Sequence, residues 1–151
     1  MLTRRIGEAR RTFDGLSKIW SHANLSMKRK LNLYHAIIVS KLLYSLDSLW
    51  LRQGDRQRLD ACHYACLRRI QRIPHSYVSH ITNAEVLRRS GCVPLTALLK
   101  ERRLINFGRI ALQPNDALER KMALQPDSLR PAVWQGVRRQ GRPRQNWAEC
   151  V

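Results

Sequence analysis

Acidic side chains are scarce in this chain: 11 Asp and Glu stand among 151 residues, against 28 Lys and Arg. Polymerases and two-metal nucleases hold their divalent ions in clustered carboxylates. Here Asp47 and Asp60 are isolated within helical segments, Asp55 reads as a helix cap, and Pro126-Asp127 meets no further acid before Glu149. No Gly-rich phosphate loop occurs, and no Ser or Cys sits in a recognisable nucleophile motif. No run approaches the ~20 apolar residues that span a bilayer, and no basic segment leads into an apolar signal core. Alternation of period two is nearly missing too, which leaves little room for strands. The expectation is a non-catalytic chain with no cofactor, bound metal or membrane partner, acting inside the cell and in the nucleus.

What is abundant is positive charge. The formal net charge is +17 and the pI about 11.1. Residues 1–73 alone hold 15 basic side chains against 5 acidic ones. A field of that size repels itself unless a polyanion neutralises it, and nucleic acid gains further from counterion release. Hydrophobic residues reach 44%, enough for a packed core.

Four cysteines (62, 66, 92 and 150) and five histidines are present. Cys62-His63-x-x-Cys66 has half of a zinc spacing, but no second ligand pair follows it. Both cysteines also fall on the apolar stripe of a helix, where buried thiols are ordinary, so a core role is expected.

Apolar residues recurring at steps of three and four mark the helices. Ile6, Ala9, Phe13, Leu16 and Trp20 form the stripe of a first segment, about Arg4 to Ser21, with Arg4, Arg11 and Lys18 at seven-residue spacing opposite it. Ser26 caps a second, striped by Met27, Leu31, Tyr34, Ile38 and Leu42, carrying Lys28 and Lys30 and reaching as far as Trp50. Gly54-Asp55 opens a third with Leu59, Cys62, Cys66, Ile70 and Ile73 inward. At 100° per residue Arg68 and Arg72 then lie about 160° and 120° from its stripe, and so outward. Thr82 and Glu85 fit a capping box for a short helix that stops at Gly91. Pro94 starts a longer one bearing Arg102 and Arg103, with Arg102 close to its apolar stripe. The pattern predicts an all-α fold: a small bundle over 1–112, then a short helix near 116–124 and an irregular basic C-terminal arm within 113–151, cut short at Val151. Candidate nucleic-acid-binding residues are Arg4, Arg11, Lys18, Lys28, Lys30, Arg68, Arg72, Arg102 and Arg103, with Arg138, Arg139, Arg142 and Arg144 in the arm.

An ordered series of blocks resembles the region after the palm in reverse transcriptases of non-LTR (LINE-type) retrotransposons. It runs from Arg5-Ile6-Gly7-Glu8-Ala9-Arg10 and Leu16-Ser17-Lys18-Ile19-Trp20 through Leu25-Ser26-Met27-Lys28-Arg29-Lys30-Leu31, Tyr34 and Leu42-Leu43-Tyr44. It continues with Leu59-Asp60-Ala61, Cys66-Leu67-Arg68-Arg69-Ile70, Asn83-Ala84-Glu85-Val86-Leu87-Arg88-Arg89 before Gly91, and Arg102-Arg103-Leu104 with Gly108. Gly141-Arg142-Pro143-Arg144 with Trp147 ends it. The chain departs from the family at Ser45, Asp47 and Trp50, where Gly and then Glu-x-Trp are usual, and at Arg109, where His is frequent. The resemblance implies a helical thumb that closes over an RNA/DNA template–primer duplex or double-stranded DNA, with the palm domain as a protein partner. The palm's paired metal-binding aspartates are absent here.

Two other readings compete. Thr82–Gly91 followed by Pro94–Ile110 has the outline of a free-standing helix-turn-helix, although its recognition helix would open on Leu95, Thr96, Ala97, Leu98 and Leu99, a poor edge for reading bases. A non-functional retrotransposon remnant is the other. Within the arm, Arg138-Arg139-Gln140-Gly141-Arg142-Pro143-Arg144 resembles an AT-hook, a minor-groove-inserting segment, though a solvated basic linker is the plainer reading.

Overall fold

The computed structural model describes residues 2–22, 24–49, 51–133, 141 and 148. Helix α1 (Leu2–Gly15) is separated from α2 (Ser17–Ser21) by a bend at Leu16. Helix α3 (Met27–Tyr34) passes through a π-helical turn, His35–Val39, into α4 (Ser40–Leu43). Then come α5 (Gln53–Ile70), α6 (Ser76–Ser79), α7 (Asn83–Ser90), α8 (Leu95–Ala111) and α9 (Leu118–Ala123). The fold is all-α: among the described residues no strand forms, and Leu124 and Pro131 make an isolated bridge. The helices fall into two compact units, residues 1–44 with 51–98 and residues 45–50 with 99–151. The division lies inside α8, whereas the change in sequence character lies near residue 112.

In the first unit the stripes of α1, α3–α4 and α5 meet in a core of Ile6, Ala9, Phe13, Tyr34, Ile38, Leu42, Leu59, Cys62, Cys66 and Ile70. Phe13 stacks on Trp20 at 4.9 Å and meets Tyr34 edge-on at 6.1 Å. The bend at Leu16 lets the Trp20 indole swing back and donate to the Phe13 carbonyl at 2.8 Å. That bond satisfies the polar edge of an otherwise apolar ring. The expected stripe of the second segment is off at its start, where Met27 is exposed and Lys30 is buried instead.

Helix ends follow local chemistry. The Ser26 and Thr82 hydroxyls accept from Arg29 N and Glu85 N, as N-caps do. The carboxylate of Glu85 turns to Arg88 and Arg89 rather than back to the cap. Helix α7 ends in a Schellman turn, with Gly91 at φ +64° and Cys92 N donating to Leu87 O. Two expectations are corrected. Helix α4 stops at Leu43, short of Trp50, because Tyr44 leaves the helical region at ψ 120° and Ser45 takes φ +53°. Helix α5 begins at Gln53, so Asp55 lies in its first turn, where its charge favours the N-terminal dipole, and does not cap it.

In the second unit Leu46, Leu99 and Leu124 are buried. The first part of the expected irregular arm is a closed turn: Gln125 N donates to Arg130 O and Ala132 N to Ala123 O.

Candidate nucleic-acid interface

Several basic side chains expected at the surface serve instead as helix and loop caps. The last carbonyls of a helix lack intrahelical donors, and a cation there also meets the negative end of the dipole. At the end of α2, Lys30 Nζ donates to Trp20 O at 2.8 Å and Arg72 to Ser21 O at 2.7 Å. Lys30 is buried. Arg72 lies beyond α5 in a left-handed conformation, φ +55°, with Ile73 N closing a Schellman turn onto Arg68 O.

Arg68 is the clearest correction. Its side of α5 does point away from the core, but the 74–82 connector folds over it. The guanidinium donates to Pro74 O, Ser79 Oγ, Ile81 O and Asn83 Oδ1, and only 7% of the residue stays exposed. Arg103 is likewise buried, donating to Leu46 O and Leu49 O, while Arg102 beside it is exposed. The apolar side of α8 was therefore misplaced by one residue. Lys30, Arg68 and Arg103 are buried and hold the fold together, so they are not free to meet phosphate; Arg72 donates to Ser21 O but stays exposed.

The acids are equally structural. Asp60 receives Thr96 N at 3.0 Å and Thr96 Oγ1 at 2.7 Å, so a carboxylate on α5 caps α8. Cys62 and Cys66 are buried core thiols. Cys62 is lowered from the usual thiol range by the Cys66 hydrogen bond and by Arg10, and Cys66 is raised by Cys62 and burial. No group of three or more potential metal ligands comes together among the described residues.

Exposed cations do gather on one surface of the first unit. The buried stripe of α1 is Leu2, Ile6, Ala9 and Phe13; at 100° per residue Arg4 and Arg11 lie about 170° from its centre. Arg5 and Thr12 occupy the flank toward α4, where Arg5 donates to Tyr44 O and Lys41 Nζ to Thr12 Oγ1 at 3.0 Å. Glu8 sits between them. Its carboxyl is held below the ordinary range first by the Arg4 hydrogen bond, then by the charges of Arg4, Lys41 and Arg11. Three cations thus act on one carboxylate, and Arg5 lines the same pocket. Arg5, Glu8, Ser40, Lys41 and Tyr44 line an open pocket of about 440 Å³. On the opposite flank Arg69 pairs with Asp14 and lies 4.8 Å over the Phe13 ring.

Arg4 and Arg11 were expected in this group. Arg5, Lys41 and Tyr44 were not, since the pairing of α1 with α4 that assembles them is tertiary. Lys18 and Lys28 are exposed on α2 and α3. Arg138, Arg139, Arg142 and Arg144, and with them the AT-hook reading, lie outside the described residues. No helix among the described residues is long and apolar enough to cross a membrane. No protein-family model, curated protein or solved structure matches the chain.

Proposed function

We propose that this chain is a non-catalytic nucleic-acid-binding fragment that grips the phosphate backbone of a duplex through the α1–α4 surface. The observation that carries this reading is the group formed by Arg4, Arg11 and Lys41 acting on the carboxylate of Glu8, with Arg5 lining the same pocket. Within it Arg4 and Lys41 bond side chains rather than backbone, and Arg5, which donates to the Tyr44 carbonyl, keeps further donors. Backbone contacts of this kind give affinity and register without sequence choice. The likeness to the post-palm region of LINE-type reverse transcriptases supplies the partners: template–primer or double-stranded DNA, and a palm domain where one is expressed with it. The scattered carboxylates support a chain that does no chemistry itself.

The helix-turn-helix alternative loses support from the first turn of α8. Leu95 is wholly buried and Thr96 is tied to Asp60, so that turn is engaged with α5. Binding of several unrelated duplexes, RNA/DNA and DNA/DNA, as salt rises from about 50 to 200 mM tests the proposal. All should bind with similar affinity and weaken at least tenfold. Strong preference for one short sequence, or salt-insensitive binding, would overturn it.

A further inference from the structure

We infer that the pocket beside Tyr44 takes one unpaired nucleotide of a bound strand, its base stacked on the Tyr44 ring and its phosphate between Arg5 and Lys41. This rests on the nucleic-acid reading above and goes beyond it, because a paired base inside a duplex cannot present its face to the ring.

Tyr44 is 73% exposed at the point where α4 ends. A single exposed aromatic is ordinary; its placement is what matters here. Its carbonyl is held by Arg5, and the next residue, Ser45, takes φ +53°, a conformation a non-glycine residue adopts at some cost. Arg5 therefore holds the backbone of a residue whose ring is left in water. Arg5 uses part of its five-donor fork on that carbonyl, and Lys41 uses one of three donors on Thr12, so both retain donors for an anion. Glu8 is the one acidic lining residue, and Arg4 is bonded to it at 2.9 Å. The pocket, about 440 Å³, is within the rough 300–1,000 Å³ range of small-ligand sites. A π-face beside a positively charged groove is the combination by which proteins hold unpaired nucleotides irrespective of sequence.

The test uses the full chain and two DNA duplexes identical except that one carries a short single-stranded overhang containing 2-aminopurine. The overhang duplex should bind more tightly, and its fluorescence should be quenched as the base stacks. Tyr44→Ala should remove the quench and cost the overhang duplex between about fivefold and a hundredfold in affinity, a clearly larger loss than the blunt duplex shows. Tyr44→Phe should retain both signals. The quench in the unmodified protein needs no variant, so its absence alone would overturn the subsite. Equal losses for blunt and overhang duplexes in Tyr44→Ala would also overturn it while sparing the backbone reading. A wild-type chain that binds neither duplex would refute both.

Discussion

Inside the first unit the Tyr34 hydroxyl lies 2.8 Å from His63 Nδ1, and His63 Nε2 lies 3.2 Å from Val93 O. A carbonyl can only accept, so Nε2 donates to it, and in the neutral ring Nδ1 accepts from the tyrosine. Both residues are fully buried, so a charge on the imidazole would be held out of water.

The first prediction is therefore a pH dependence. Burial lowers His63 from 6.5 to about 4, with the Val93 bond opposing it. Below the unfolded value the unfolded chain binds the extra proton, so stability is full above about pH 6.5 and falls toward pH 4. The loss approaches ~3 kcal/mol over that window. Burial also lowers His35, which acts in the same direction. Urea melts at pH 7 and pH 5 should differ accordingly, and His63→Gln should flatten the dependence. An equally steep pH dependence in that variant would contradict the assignment.

Arg68→Met should destabilise the fold by on the order of 3 kcal/mol, since it leaves buried carbonyls of the 74–82 connector without donors. Limited proteolysis should open that connector first. The salt slope of nucleic-acid binding, measured below the unfolding transition, should stay unchanged. A flattened slope with full stability would mean that Arg68 meets phosphate after all.

Asp60→Ala removes the side-chain cap of α8 and should cost about 1 kcal/mol. Asp60→Asn retains an acceptor and should lose less. Comparable thermal midpoints for wild type and Asp60→Ala would show that the Thr96 bonds contribute little.

The helices were legible because three-and-four spacing reports burial directly: Phe13, Tyr34, Leu42, Leu59 and Ile70 are core residues as read. Ser26, Thr82 and Gly91 also punctuate the chain as their local chemistry dictates. Misreadings arose where tertiary structure reassigns a polar group. A helical wheel puts Arg68 opposite the core but cannot show that a later connector covers it. Lys30 lies beside a stripe whose first member, Met27, is in water. Asp60 seemed isolated because its partner, Thr96, is 36 residues away. The candidate site was half legible: Arg4 and Arg11 follow from periodicity, whereas Arg5, Lys41 and Tyr44 join them only when α1 and α4 pack.

Salt-dependent duplex binding by Arg4→Gln/Arg5→Gln/Arg11→Gln/Lys41→Gln, compared with wild type, probes the proposed backbone grip most directly. Each phosphate contact contributes about 0.9 to the log–log slope on B-form DNA. The quadruple variant should therefore lose up to about 3.6 from the magnitude of that slope while keeping its helical circular dichroism. An unchanged slope in a folded variant would contradict the assignment of this surface to nucleic acid.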